Sequence, residues 1–248
     1  MGFDKQIILV QVRYTFLSSH ARFLTVLGAN AGIGYDTSYA LVAPSPNNHV
    51  IMGARNQAKG ENALSELQDD TIKAAAAKIK ADFGRLDVLV NNASIVTPDP
   101  TTRESLRTAF DTNVFSAVLL TNAVNSLLKA SKSLKIINVS SVMGSVTLMI
   151  DPTNPYRQII AEVYRMTKAA LNMLTACQHT TLHEVGGTAW AFCPGYVVTD
   201  LAGDRESRIS QGLESSETSA QGILEIMEGK RDSDIGKFIT KYGEVLPW

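Results

Sequence analysis

A chain of 248 residues with 45% hydrophobic and 19% charged residues is long enough to bury one large core and too apolar to remain disordered. Its 23 basic and 24 acidic side chains leave a formal charge of -1 with no run of Lys or Arg, which excludes the electrostatic footprint of a nucleic-acid or anionic-membrane binder. The longest apolar runs fall far short of the ~20 residues a membrane span needs, so a cytoplasmic protein is expected, with Cys177 and Cys193 as reduced core thiols rather than part of a disulfide or zinc framework.

Two apolar runs, residues 7–12 and 23–27, precede a single glycine-rich turn, Gly28-Ala29-Asn30-Ala31-Gly32-Ile33-Gly34. A phosphate-binding turn must follow its strand at once, which makes 23–27 the strand that feeds it. The spare run at 7–12 is then expected to add at a sheet edge, where unpaired main-chain groups accept a partner. Further runs of strand length at 49–53, 86–90, 134–139, 189–193 and 237–240 alternate with segments of helical period. That is the layout of an α/β protein with one doubly wound, mostly parallel, Rossmann-like sheet, and the whole chain, 1–248, reads as one domain. Between Arg55 and Arg85 the pattern gives two helices, 57–68 and 70–83, with no strand between them. The second carries Ile72, Ala76, Ile79 and Phe83 at helical spacing and stops at Gly84.

The glycines at 28, 32 and 34, with Asn30 and Ile33 between them, close a strand and open a helix, so main-chain amides and the helix N-terminus face a pyrophosphate. The residue after the next strand is Arg55 where a ribose-binding acid is expected. A guanidinium suits a 2'-phosphate, which favours NADP, with NADPH preferred over NADH. Tyr164 and Lys168 lie one helical turn apart and share a face. An ammonium beside a phenol is expected to favour the phenolate, and drawing a tyrosine from its reference pKa near 10 toward about 7 takes roughly 4 kcal/mol. Ser141, past the end of the 134–139 strand, is placed to donate to a substrate oxygen as it gains charge. His179 and His183 are four apart on one helix, but the other histidines are remote in sequence, and no metal site is expected.

Five motifs follow in order: NNAS at 91–94, TNVFS at 112–116, INVSSVMGS at 137–145, YRMTK at 164–168 and CPGYVVT at 193–199. On these the chain resembles the short-chain dehydrogenase/reductase family, in its compact carbonyl-reductase-like branch, over nearly everything from Gly28 to Trp248. The resemblance implies Tyr164 as general acid, Ser141 rather than Ser140 as the catalytic hydroxyl, Lys168 on the nicotinamide ribose and Asn113 as holder of a relay water. It also implies cofactor contacts at Asn91, Ala93, Pro194, Gly195, Val197 and Thr199. The implied activity is NADPH-dependent reduction of a ketone or aldehyde to an alcohol, with a small-molecule carbonyl or alcohol as partner and a homodimer or homotetramer as assembly. The rival reading is a dinucleotide-binding sensor or interaction protein with little or no turnover.

The chain also departs from the family. The usual third strand and the adenine-contacting aspartate are missing between 55 and 85, and residues 11–27 resemble an insertion. Ser94 replaces the usual glycine, and Ala31 stands where many NADP-preferring members carry a basic residue. Tyr164 follows Ser141 by 23 residues, a longer gap than most members have, and the extra residues at 149–162 are expected to form a loop or short helix beside the substrate cleft. Tyr156 within them lacks a lysine partner. Residues 200–217, rich in Gly, Ser and charge, are expected to be the substrate loop.

Overall fold

The computed structural model describes residues 8–11, 22–29, 31–43, 48–54, 69–97, 101–201 and 205–248. Eight strands form one sheet: β1 (Ile8–Gln11), β2 (Arg22–Leu27), β3 (Asn48–Ala54), β4 (Val88–Asn91), β5 (Lys135–Val139), β6 (Thr188–Cys193), β7 (Phe238–Thr240) and β8 (Val245–Leu246). Their order is β1-β3-β2-β4-β5-β6-β7-β8. The six inner strands are parallel, while β1 and β8 close the two edges in the antiparallel sense.

The parallel strands read as unbroken apolar runs because both faces are covered. Successive side chains point to opposite faces, so Leu24, Val26 and Val90 enter one core with Trp190 and Phe192, while Phe23 and Leu89 enter the other. The first core is covered by α1 (Gly32–Val42) and α8 (Glu217–Met227) through Leu41, Ile223 and Ile226. The second is covered by α2 (Asp69–Phe83), α4 (Ser116–Lys129) and α6 (Glu162–His183). The stripe expected on α2 is the buried one: Ile72, Ala76 and Ile79 lie in the core with Phe83 packed against it. Gly84 ends the helix at φ 71°, its N–H bonded to the Lys80 carbonyl.

Among the described residues no strand lies between Ala54 and Val88. The helix expected at 57–68 and Arg55 fall outside the described residues. The edge beside β3 is taken instead by β1, with Ile8 opposite Ala54 and Gln11 opposite Ile51. The spare run therefore occupies the vacated edge, where it satisfies main-chain groups that would otherwise be unpaired.

The expectation for the cysteines holds for Cys193, which is buried, and fails for Cys177, which is exposed. The inner stripe of α6 is Lys168, Leu171, Asn172, Thr175, Gln178 and Leu182, and position 177 falls off it. Among the described residues no helix is long and apolar enough to cross a membrane.

Candidate active site

In a doubly wound sheet, ligands bind at the carboxyl ends of the strands, and the chemistry-bearing motifs gather there. At the end of β2, Gly28 and Gly32 adopt φ 73° and 52°. A Cβ on Gly28 would stand 2.9 Å from the Ala93 Cα, and one on Gly34 would collide with the Gly28 carbonyl oxygen. The turn is thus a cradle that side chains would fill. Helix α1 leaves it with no side-chain cap and no acid in its first turn, so its amides and positive end remain available to an anion. These features fit the pyrophosphate of a dinucleotide.

The NNAS motif buttresses the turn, though not through its first residue. Asn91 is buried and its Nδ2 donates to Asn138 Oδ1 at 2.8 Å, while its Oδ1 has no hydrogen-bond partner among the described residues. Asn92, which the sequence reading passed over, donates from Nδ2 to the carbonyls of Leu27 and Gly28 at 3.2 and 3.1 Å. Ala93 backs Gly28, and Ile33 packs against the core beneath. Asn30 lies outside the described residues.

At the end of β5 the two serines diverge. The Ser140 hydroxyl is buried and donates to Asn172 Oδ1 at 2.5 Å. Ser141 caps a 3-10 turn, Val142–Gly144, accepting from the Met143 N–H at 3.2 Å, and its hydroxyl reaches Tyr164. Gly144 makes this juxtaposition possible, since a Cβ there would stand 2.7 Å from the Lys168 carbonyl carbon. The turn bearing Ser141 can therefore lie directly on α6.

Within α6, Lys168 is fully buried, donates from Nζ to the Val139 carbonyl at 2.8 Å and stands 5.5 Å from the Tyr164 ring centroid. Burial pushes Tyr164 up to about 12, opposed in part by the nearby hydroxyls of Ser141 and Ser94 and by the charge of Arg208. Burial pulls Lys168 down to about 7. Desolvation penalises the charged form of both groups, so in the chain without cofactor burial outweighs the pull toward the phenolate expected of an ammonium neighbour. The buried Cys193 thiol nearby is likewise pushed up by burial, and it accepts from the Val142 N–H at 3.2 Å.

Asn113 lies in a π-helical stretch, Asp111–Phe115, that joins α3 (Arg103–Phe110) to α4. Its Oδ1 accepts from the Ile95 N–H at 2.8 Å, and its Nδ2 donates to the Ile95 carbonyl and to Thr167 Oγ1 at 2.9 and 3.0 Å. The side chain thus braces the chain after β4 against α6. The wider π turn shifts the ladder of main-chain bonds, with the Ser116 N–H reaching back to the Asp111 carbonyl.

After β6, Gly195 turns the chain at φ 78°, Val197 and Thr199 are buried, and Pro194 offers its carbonyl to the Ser219 hydroxyl at 2.8 Å. The Thr199 Cγ2 stands 3.2 Å from where a Gly32 Cβ would be, which brings this segment against the glycine turn. The lengthened stretch after Ser141 folds as α5 (Val146–Ile150) and a 3-10 turn, Pro155–Gln158. Arg165 fastens it to α6 by donating to the carbonyls of Met143 (3.4 Å), Ile159 (3.2 Å) and Tyr156.

The carboxyl end of the sheet therefore carries Gly28, Gly32, Gly34, Ala93, Ser141, Tyr164, Lys168, Val197 and Thr199. Its chemistry is that of a proton donor, a hydroxyl donor and a titratable amine beside an anion cradle, at the switch point of a parallel sheet. The profile of the short chain dehydrogenase family matches residues 22–210, and the chain belongs to this family of oxidoreductases. Among its curated relatives, the short-chain dehydrogenase anuI of Penicillium roqueforti is 33% identical over 238 residues, which covers 86% of this chain and 92% of that one. The solved structure of the NADPH-bound carbonyl reductase from chicken fatty liver superposes with a TM-score of 0.75 at 27% identity, covering 92% of this chain and 99% of that one. The carbonyl reductase Sniffer of D. melanogaster gives a TM-score of 0.77 at 25% identity, with 92% and 100% covered.

Proposed function

We propose that the protein reduces a ketone or aldehyde to an alcohol with NADPH. The observation that carries this reading is the meeting of Ser141, Tyr164 and Lys168 at the end of β5, opened to one another by Gly144. In this reading Gly28, Gly32, Gly34 and the first turn of α1 hold the pyrophosphate, Lys168 the nicotinamide ribose, and Val197 and Thr199 the carboxamide. The bound cofactor supplies the hydride. Ser141 donates a hydrogen bond to the carbonyl oxygen as negative charge develops there, and Tyr164 delivers its phenolic proton to the same oxygen.

A phenol held near 12 keeps its proton until the alkoxide, a stronger base, draws it off. Lys168, held near 7, exchanges a proton with the cleft at neutral pH, and the main chain of the Asn113 turn leads that exchange to water. The preference for NADPH is supported by Arg55 in the sequence and by the cofactor of the chicken reductase.

The test is Tyr164→Phe in the full chain. Reduction of a carbonyl panel is expected to fall about 10²- to 10⁴-fold, the usual contribution of a positioned acid, with the wild type turning over NADPH faster than NADH. A variant that still reduces carbonyls at the wild-type rate sinks this mechanism.

A further inference from the structure

The loop between β6 and α8 contains a short helix, α7 (Arg205–Ser210). Its Arg208 is only 8% exposed. One nitrogen of the guanidinium donates to the Val197 carbonyl at 2.9 Å and to Thr199 Oγ1 at 2.7 Å, and the other donates to the Leu201 carbonyl. The Tyr196 ring lies 4.9 Å from Cζ. Among the described residues no carboxylate pairs with Arg208. A buried guanidinium that meets only neutral acceptors carries a desolvation cost that an apolar side chain of similar volume avoids. What the guanidinium supplies in exchange is a planar fork of donors that fixes several acceptors at once.

The base of the loop is closed independently. The Val198 N–H bonds to the Glu214 carbonyl at 2.9 Å, Val198 and Ser215 form an isolated bridge, and the Glu214 carboxylate is held by Lys241 and Tyr242. The Leu213 N–H returns to the Arg208 carbonyl at 3.2 Å. Arg208 is therefore the post inside a closed excursion, and its fork is aimed at the segment that runs past the cleft. With one Thr199 lone pair taken by Arg208, the hydroxyl is left to present its own proton to an acceptor.

We propose that Arg208 is a positioning residue of the active site, whose guanidinium holds residues 196–201 in the shape that receives the nicotinamide end of the cofactor and makes Thr199 a hydrogen-bond donor toward it. The inference rests on the reading of Val197 and Thr199 as contacts to the carboxamide. It separates the two halves of the cofactor, because the Arg208 bonds go to Val197, Thr199 and Leu201, on the nicotinamide side of the turn after β2 that is read as holding the pyrophosphate.

The experiment compares wild type with Arg208→Gln and Arg208→Lys, each checked for a cooperative melt. Amide exchange across 196–214 is measured without cofactor, and binding of NADPH and of 2',5'-ADP is titrated. Both variants are expected to exchange at least tenfold faster over 196–214 with β7 and α8 unchanged, because a lysine keeps the charge and loses the fork. NADPH affinity and kcat are expected to fall at least tenfold while 2',5'-ADP binds as in wild type. Exchange and NADPH affinity within twofold of wild type in both variants overturn the proposal, as does recovery of both by lysine or an equal loss for the two ligands. A wild type that binds no NADPH refutes the reading of the cofactor site instead, and the exchange comparison still decides whether Arg208 holds the loop.

Discussion

Lys168 has lost its water and gained one carbonyl and the face of a tyrosine ring, and this has a cost that pH reveals. Its ordinary value of 10.5 falls to about 7 in the folded chain. Between these values the unfolded chain holds a proton that the folded chain does not, so stability without cofactor rises with pH from about 7 to 10.5 and is flat below. Lys168→Met is expected to remove that slope in urea titrations at several pH values. It is also expected to raise stability near pH 7 by about 1 to 3 kcal/mol, since an apolar side chain replaces a buried cation, while abolishing turnover. An unchanged slope refutes the assignment.

Ser94 acts in the opposite direction on Tyr164, since its hydroxyl is one of the groups that lower the phenol from the value set by burial. Alcohol oxidation needs the phenolate. Ser94→Gly, which restores the residue the family commonly has there, is expected to move the pH profile of oxidation to higher pH and leave its plateau in place. An unmoved profile shows that Ser94 does not reach the phenol in solution. None of this was legible in the sequence. The spacing of Tyr164 and Lys168 shows that they share a helical face but not how much water the fold removes from around them, and burial reversed the expected direction.

At the scale of elements, legibility followed periodicity. The parallel strands were read within a residue or two because burial on both faces makes them unbroken apolar runs, and α2 because its stripe has a helical period. The two-residue β8 and the 3-10 turns are too short to carry a period. Helix α6 was recognised, but its inward face was not, which is why Cys177 was placed on the wrong side. Arg208 gave no signal at all, since its loop is irregular and its partners are main-chain carbonyls.

The lengthened segment between Ser141 and Tyr164 was expected beside the substrate cleft, and the Arg165 bonds fasten it to α6. Arg165→Met is expected to loosen residues 146–160 and change KM among bulky and small carbonyls by severalfold, with kcat for a small aldehyde within about twofold. A kcat loss equal for all substrates would instead place Arg165 in support of Tyr164 alone.

At the scale of the whole molecule, the chain reaches a complete sheet by an unusual route. Among the described residues no strand lies between β3 and β4, and an early strand pairs antiparallel with β3, so both borders of the parallel sheet are closed by reversed strands. Helix α2 in the second half of 55–85 was legible from its stripe, and the first half lies outside the described residues. Where the early run pairs was legible as an open valence, since a sheet edge leaves main-chain donors and acceptors unpaired.

The π turn at Asp111–Phe115 sets how this gene can vary in length. It is one residue of excess winding that joins the Asn113 brace within the turn to the Leu120, Val124 and Leu127 contacts after it. Losing a single codon there would let the helix straighten and turn its second half by about 100°, carrying those three side chains out of the core. A substitution within the turn is a local matter, whereas a one-residue deletion is a fault of phase between α4 and the sheet.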